Sequence, residues 1–402
     1  MPPLARRMAD IQPFHVMEIL KRAHELSAAG RDIIHLEVGE PDFPSPPPIV
    51  EAAQRFLASG HVHYTPALGL TRLREAIARF YHDRFGADVA PERIIVTPGA
   101  SGALMLALGV LTNPGDEWLL PDPGYPSNRH LVRSFEGRPV ALPVQADTRF
   151  QPTPDQVNAA WTPNTRGLIV ASPANPTGTL LSLDETSALH HCVKARRGTL
   201  IVDEIYQGLN YGVEASTALS RLDEVFVVNS FSKYFGMTGW RLGWMVVPPT
   251  YVREIEKLAQ HFFISPSTPS QHAALAAFDD LAELDGHVER YAANRAALLD
   301  ALERMGVTEL APCDGAFYLY GNVARWGIDS RELLRHVAAL IAVRGYKVGN
   351  VDATIIAQAP RMAAGATIKD LEIELIRKDG SVFPVLVSAS PQFGPDGQMI
   401  CT

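Results

Sequence analysis

Five short apolar runs, separated by segments with helical patterns, occupy the middle of the chain. The runs lie at 93–97, 117–120, 167–170, 199–202 and 225–228. Strands that are apolar along almost their whole length are typical of parallel sheets covered by helices on both faces. The sequence therefore predicts an α/β domain with a mainly parallel sheet between helices. Ligands of such sheets bind beyond the carboxyl ends of the strands, so the residues after each run form the candidate site.

Size and charge limit the classes of protein to which the chain can belong. It has 402 residues, 47% of them hydrophobic, which is enough for a large core and a second domain. A net charge of -8 argues against nucleic acid as a partner. The three cysteines lie far apart, the first residues lack the apolar core of a signal peptide, and no apolar run reaches the about 18 residues that span a membrane. We therefore expect a cytoplasmic protein without a membrane segment.

The residues after the last apolar run suit an aldehyde cofactor that carries a phosphate. Lys233 stands there beside the hydroxyl residues Ser230 and Ser232, and Arg241 follows eight residues later. A lysine can form a Schiff base with an aldehyde, and an arginine can bind two phosphate oxygens at once. The competing interpretation is an ordinary solvated lysine after a buried strand.

Two further strand ends match other parts of such a cofactor. The sequence GASG at 99–102 opens a predicted helix at 103–110, and the N–H groups of a helix start bind anions. Asp203 follows a fully apolar run, where a buried carboxylate needs a cation such as a protonated pyridine nitrogen. An ordinary helix start and an N-cap or ion pair are the alternatives for these two features.

Three more residues fit a pyridine ring with a phenolic oxygen. Tyr125 could stack on the ring, while Asn175 and Tyr206 could hydrogen-bond the phenolic oxygen. Each of them alone is more often structural, and only the combination is specific. The histidines at 61–63 and 190–191 have no acidic or cysteine cluster beside them, so we predict no metal site.

With these motifs the chain resembles the class I and II aminotransferases, which are pyridoxal 5′-phosphate enzymes of fold type I. The similarity runs over about residues 13–326, in the family's order. Its motifs are EVGEPD at 37–42, YTPALG at 64–69, GASG at 99–102, ANPTG at 174–178, DEIY at 203–206, SFSK at 230–233 and GWRLG at 239–243.

The resemblance implies roles for particular residues. Lys233 would form the Schiff base and move the proton, Asp203 would pair with the pyridine nitrogen, and Tyr206 would hold the phenolic oxygen. The other cofactor-binding residues implied are Ala100, Ser101, Tyr125, Asn175, Ser230, Arg241 and Tyr64. Tyr64 would reach the phosphate of a neighbouring subunit, which implies a homodimer. Gly39 and Asn175 would line the substrate pocket, and an amino acid would pass its amino group to a 2-oxo acid with ping-pong kinetics.

Other functions stay open because the family's arginine for the substrate α-carboxylate has no counterpart. Only Arg361 and Arg377 follow Arg344, and neither stands in a stretch like the family's. The alternatives are a lyase, cyclase or decarboxylase with the same cofactor and fold, or a cofactor-binding protein with impaired catalysis.

The end of the chain departs from the family. Residues 330–363 resemble an internal piece of methylerythritol cyclodiphosphate synthase, and 370–402 resemble a hairpin of a PAS domain with its turn at 378–381. Neither piece is long enough to bring a second activity. The predicted domains are an N-terminal arm with the start of a small domain (1–45), a large cofactor domain (46–285), the start of a C-terminal small domain (286–328) and an atypical segment (329–402). Within them we predict helices at 17–28, 251–260, 271–305 and 332–343, and strands at 313–320 and 351–356.

Overall fold

The computed structural model describes residues 3–30, 38–304 and 306–322, and four short strands between 374 and 401. The chain divides into two compact units. The first comprises Met1–Gln12, Phe43–Glu289 and Asp314–Ala316, and the second comprises Pro13–Asp42, Arg290–Cys313 and Phe317–Thr402. Among the helices of the described ranges, none has the length and apolarity needed to cross a membrane.

The first unit is built on a seven-stranded sheet. Its strands are β1 (Ile94–Thr97), β2 (Glu117–Asp122), β3 (Arg138–Pro143), β4 (Thr165–Ala171), β5 (Thr199–Asp203), β6 (Phe226–Ser230) and β7 (Gly243–Val246). They lie in the order β1-β7-β6-β5-β4-β2-β3. Strand β7 pairs antiparallel with both β1 and β6, and all other neighbours pair in parallel. The predicted α/β fold with a mainly parallel sheet is confirmed.

Ten α-helices lie in the described ranges, and those between the strands of the first unit connect them. The helices are α1 (His15–Ala28), α2 (Pro47–Ala58), α3 (Thr71–Phe85), α4 (Gly99–Leu111), α5 (Ser127–Ser134), α6 (Pro154–Ala160), α7 (Leu183–Lys194), α8 (Pro249–Phe262), α9 (Thr268–Leu275) and α10 (Leu281–Arg304). Helix α1 belongs to the second unit, and α10 runs from the first unit into the second. Capping boxes fix where α6 and α7 begin, at Thr153 with Gln156 and at Ser182 with Glu185. Gly86 ends α3 with a positive φ of 61°.

The core lies between the sheet and its helices. Trp118, Phe226 and Trp244 on the strands are 0–1% exposed, and each such side chain stabilises the fold by about 1.5–3 kcal/mol. Helix α4 is apolar on nearly every side and packs against β6 and β7. Its burial holds its N-terminus at the carboxyl edge of the sheet.

The second unit is described only in part. In it, Ala311 N–H donates to the Tyr320 carbonyl at 2.8 Å, and Arg295 Nε donates to the Cys313 carbonyl at 2.6 Å. Further along the chain, β8 (Glu374–Ile376) pairs antiparallel with β9 (Val382–Pro384), and β10 (Pro391–Phe393) pairs with β11 (Met399–Cys401). The two strands of the hairpin predicted around 378–381 are therefore present and paired.

Two predictions about elements were wrong, two strands were missed, and other predictions cannot be compared. The helix predicted over 271–305 is broken, because α9 ends in a 3₁₀ turn at Ala276–Phe278 and α10 starts only at Leu281. No strand forms at 313–320, where Cys313 and Ala316 have positive φ values of 54° and 58°, which regular pairing does not allow. Strands β3 and β7 were not predicted. The predicted helix at 332–343 and strand at 351–356, together with Arg361 and Arg377, lie outside the described residues.

Candidate cofactor site at the carboxyl edge of the sheet

The parallel strands bring the predicted site residues to one edge of the sheet. Strands β1, β2, β4, β5 and β6 all end there. Because β7 is antiparallel, it begins at this edge, where Gly243 lies opposite both Thr97 and Ser230. Arg241, two residues before Gly243, therefore reaches the same edge as the strand ends. Its position depends on the one strand direction that the sequence did not reveal.

Lys233 lies at the centre of this edge, in the turn after β6. It is partly buried, and its Nζ stands 5.5 Å from the centroid of the Tyr206 ring. That distance is within the range of a cation–π contact. Tyr206 itself is 4% exposed and belongs to the turn after β5. The two strand ends thus bring an amine and a buried phenol together.

Asp203 is the buried acid of the site. It ends β5, is 5% exposed, and its Oδ1 accepts a hydrogen bond from Ile205 N–H at 3.0 Å. Burial raises the pKa of Asp203 to about 6, although this hydrogen bond and the charge of Lys233 both act to lower it. Near neutral pH the carboxylate is thus ionised although burial disfavours its charge, and a cation placed beside it would be stabilised.

The N-terminus of α4 and the residues around Ser230 have the chemistry of an anion site. Helix α4 begins at Gly99 without a side-chain cap and without an acidic residue in its first turn. Ala100 there is buried, and Ser101 is exposed. Ser230 is buried, and its hydroxyl lies 2.9 Å from that of Ser232. Open N–H groups, hydroxyls and the cation of Arg241 together suit a phosphate group.

Gly99 leaves the room that the Arg241 side chain occupies. A Cβ atom on Gly99 would lie 2.7 Å from Arg241 Nη2, closer than such atoms approach each other. The guanidinium is held by a hydrogen bond from Nη1 to the Thr238 carbonyl at 3.0 Å. Gly99 also has a φ of +71°, which glycine adopts without strain. Because Gly99, the first glycine of the GASG motif, has no side chain, the Arg241 guanidinium can occupy this position.

We predict that Gly99→Ala weakens anion binding as well as stability. The change should cost about 1 kcal/mol through the positive φ, and the displaced guanidinium should weaken binding of inorganic phosphate about 10-fold. Gly60→Ala is the matched control, because Gly60 has a φ of +70° and nothing within 4 Å of its added Cβ. Thermal unfolding and phosphate titration measure the two effects. Equal phosphate affinities in both variants would contradict the role of Gly99.

The remaining predicted site residues lie in different places. Tyr125 follows β2, and burial raises the pKa of its phenol most, against a hydrogen bond with Ser127 that lowers it; the charge of Asp203 raises it further and that of Arg241 lowers it. Asn175 lies in the loop after β4, at the same edge. Tyr64, in contrast, is 78% exposed on the loop between α2 and α3. Gly39 belongs to the second unit, where an added Cβ would lie 2.3 Å from the Tyr318 hydroxyl oxygen.

Sequence reasoning missed three buried polar residues behind the site: Glu204, Gln207 and Asn229. They are 2%, 6% and 4% exposed. Burial raises the pKa of Glu204 to about 8, against the hydrogen bonds that the side chain accepts. A second acid after the apolar run 199–202, and an asparagine directly after the run 225–228, were the available signals. Among the described residues, no group of three or more histidine, cysteine, aspartate or glutamate side chains could hold a metal ion.

The chain is similar to known aminotransferases over most of its length. A family described as "Aminotransferase class I and II" matches residues 31–346. The valine–pyruvate aminotransferase of Mycobacterium tuberculosis is 38% identical over 383 residues, covering 94% of this chain and 97% of that protein. An aspartate aminotransferase of Geobacillus stearothermophilus is 35% identical over 326 residues, covering 79% and 83%.

Solved structures give the same result. The crystal structure of an aminotransferase from Mycobacterium tuberculosis superposes with a TM-score of 0.81 at 40% identity, covering 84% of this chain and 88% of that one. The aspartate aminotransferase of Thermus thermophilus with maleate has a TM-score of 0.79 at 32% identity, covering 84% and 89%.

The sequence match also bears on the atypical end of the chain. The match with the valine–pyruvate aminotransferase covers 94% of the 402 residues, or about 378. Only 328 residues precede segment 329–402, so at least about 50 residues of that segment lie within the match. Similarity to an aminotransferase thus continues beyond residue 326, where we expected it to end. The resemblance of this segment to synthase and PAS fragments stays a prediction.

Proposed function

The chain belongs to the class I and II aminotransferase family, and from this premise we propose that it binds pyridoxal 5′-phosphate at the carboxyl edge of its sheet, with Lys233 as the catalytic lysine. The observation that carries the proposal is the pair formed by buried Asp203 and nearby Lys233. The residues fit the cofactor on two further grounds. Asp203 is a buried acid that a ring cation would stabilise, and Gly99 leaves room for a guanidinium beside an open helix N-terminus.

We assign the phosphate to the N-terminus of α4 and its neighbours. Ala100 and Ser101 would contribute from the first turn of the helix, and Ser230 and Arg241 from the two strands beside it. The support is their common location and their chemistry: backbone donors, hydroxyls and one cation. Arg241 suits this site better than a lysine would, because a guanidinium can bind two phosphate oxygens at once.

The ring end of the site would be held by four residues. Asp203 would pair with the pyridine nitrogen, Tyr125 would lie on the ring face, and Asn175 and Tyr206 would donate hydrogen bonds to the phenolic oxygen. When bound, the cofactor supplies an aldehyde for covalent attachment of amino groups and a protonated ring that accepts electrons. The Asp203 carboxylate would keep the ring nitrogen protonated, because pairing with a cation lowers the free-energy cost of burying this carboxylate.

Lys233 would carry out the proton transfers at its Nζ atom. A general base accepts a proton on a neutral amine and returns it as an acid, and Lys233 Nζ lies at the strand ends where such a group is needed. The Tyr206 ring, 5.5 Å from Nζ, lies within cation–π distance of the protonated amine.

We further propose valine and pyruvate as the first substrate pair to test. The support is the valine–pyruvate aminotransferase of Mycobacterium tuberculosis, which is more similar to this chain, and over more of it, than the aspartate aminotransferase of Geobacillus stearothermophilus. We expect the full-length chain with added pyridoxal 5′-phosphate to convert valine into its 2-oxo acid in a half-reaction, followed by spectroscopy and by detection of the product. Aspartate and a panel of other amino acids serve as comparison.

The outcomes of this panel separate the candidate functions. Release of a 2-oxo acid without a second substrate, and ping-pong kinetics with one, are expected of an aminotransferase. Loss of carbon dioxide or elimination of a side chain would instead indicate a decarboxylase or lyase. No conversion of any amino acid by cofactor-loaded protein would contradict a competent aminotransferase.

We propose that two copies of the chain form a homodimer through the surface around Tyr64. The Tyr64 ring is 78% exposed, yet its loop is fixed by hydrogen bonds from Thr268 Oγ1 to the His63 carbonyl at 2.7 Å and from Gln271 Nε2 to Thr65 Oγ1 at 2.9 Å. An exposed aromatic side chain on a loop whose neighbouring residues are hydrogen-bonded suits contact with another molecule. Light scattering should give twice the chain mass of 43.8 kDa. A single-chain mass, or a dimer unaffected by Tyr64→Asp, would contradict this interface.

A further inference from the structure

Three buried side chains form a line of hydrogen bonds behind the proposed cofactor site. Gln207 Nε2 donates to Glu204 Oε2 at 2.9 Å, and Asn229 Nδ2 donates to Gln207 Oε1 at 2.9 Å. Ser230 N–H then donates to Asn229 Oδ1 at 2.7 Å. We call Glu204, Gln207 and Asn229 the relay. It joins the residue next to Asp203, at the ring end, to the backbone of Ser230, at the phosphate end.

The surrounding contacts allow the relay only one orientation. Gln207 Nε2 also donates to the Ser216 carbonyl at 3.0 Å, so both of its hydrogens are used and Oε1 must face Asn229. Asn229 then has its nitrogen toward Gln207 and its oxygen toward a backbone N–H. Reversing either amide would set two acceptors or two donors against each other inside the core. The relay is therefore a rigid connection.

Both ends of the relay are held by other segments of the chain. Glu204 Oε1 accepts from Ala218 N–H at 2.7 Å, and Oε2 accepts from Thr217 Oγ1 at 2.8 Å. At the other end, the Ser230 hydroxyl donates to the Leu242 carbonyl at 3.0 Å and accepts from Ser232 N–H at 3.1 Å. Ser230 is thus fixed through its backbone by the relay and through its side chain by the start of β7.

We propose that Glu204, Gln207 and Asn229 are positioning residues that hold Ser230 in place for the cofactor phosphate. The inference rests on the proposed function, because it assumes that the phosphate lies at Ser230. None of the three is assigned a contact with the cofactor. A cut in the relay leaves buried polar groups without partners, and these must move to find new ones. The resulting shift at residues 229–230 affects the phosphate contacts and leaves the ring contacts in place.

Comparison of two ligands tests this inference. The dissociation constants of pyridoxal 5′-phosphate and of pyridoxal, which lacks the phosphate, are measured by absorbance titration of the full-length chain. In Gln207→Met, which has a similar shape but no polar atoms, we expect the constant for the phosphorylated ligand to rise about 10-fold and that for pyridoxal to change less than about 2-fold. Asn229→Leu removes both polar atoms of the residue next to Ser230, so it cuts the relay at its other end and should shift the ratio in the same direction.

Thr186→Val is the matched control. Thr186 is 4% exposed, and its Oγ1 donates to the Ser182 carbonyl at 2.9 Å, so the change removes a hydrogen bond outside the relay and the ratio of the two dissociation constants should stay at the wild-type value. Thermal unfolding of the cofactor-free variants identifies any that fail to fold; if Gln207→Met fails, Asn229→Leu provides the test. A wild-type ratio in the folded relay variants overturns the inference. Wild-type protein that binds both ligands equally contradicts the proposed phosphate site instead.

Discussion

Replacement of Lys233 by alanine is expected to lower the transamination rate by about 10⁴-fold or more. The variant loses both the amine that bonds to the cofactor aldehyde and the group that moves the proton. A covalent readout is available besides the rate. Borohydride reduction in the presence of pyridoxal 5′-phosphate should add the mass of the cofactor to the wild-type chain and not to the variant, as measured by mass spectrometry.

A surface lysine provides the control for this experiment. Lys257 lies on α8, is about half exposed, and pairs with Glu254 at 2.7 Å. Lys257→Ala should keep both the rate and the mass increase, since ion pairs at the surface contribute little to stability. Cofactor still attached to the Lys233→Ala chain after reduction would mean that another lysine is the reactive one.

Replacement of Asp203 by asparagine is expected to lower the rate about 10³-fold, equivalent to about 4 kcal/mol of barrier. Asparagine keeps the shape of the side chain and can still accept a hydrogen bond from Ile205 N–H, but it has no charge to stabilise a ring cation. Asp184→Asn is the control, because Asp184 is an exposed acid at the start of α7. Similar rates in Asp203→Asn and the wild type would exclude Asp203 as the partner of the ring nitrogen.

The raised pKa of Asp203 also predicts how the stability of the cofactor-free protein changes with pH. The pKa of Asp203 is about 6 in the folded protein and about 3.9 in an unfolded chain, so ionisation costs free energy in the folded state only. Below pH 3.9 this cost is absent, and above pH 6 it is complete. Relative to Asp203→Asn, the wild type should therefore lose up to about 3 kcal/mol of unfolding free energy as the pH rises from 4 to 7. Denaturant unfolding of both proteins across this range measures it, and a constant difference would contradict a raised pKa.

Sequence reasoning predicted the fold, and it predicted which candidate site residues follow the strands, because both depend on short stretches. Strands such as β4 and β5 are apolar along their length, and the residue that matters stands directly after the apolar run, as Asp203 does after β5. Tyr125, Asn175 and Arg241 were inferred from their chemistry at or near the strand ends. Elements without an apolar run were missed. Strand β3 carries the exposed Arg138, and the short β7 begins at Gly243, a residue type that is depleted in strands.

The sequence by itself determined that the chain has an α/β sheet, which residues follow its strands, and that Lys233 and Asp203 stand at such positions. Only the tertiary structure decided the features that depend on residues far apart in the chain. These are the reversed direction of β7, which brings Arg241 to the site, the fit of Arg241 against Gly99, and the relay that joins Glu204 to Ser230. The physical reason is that hydrogen-bond partners and close contacts between distant segments follow from strand order and burial, which a local pattern of residues does not contain.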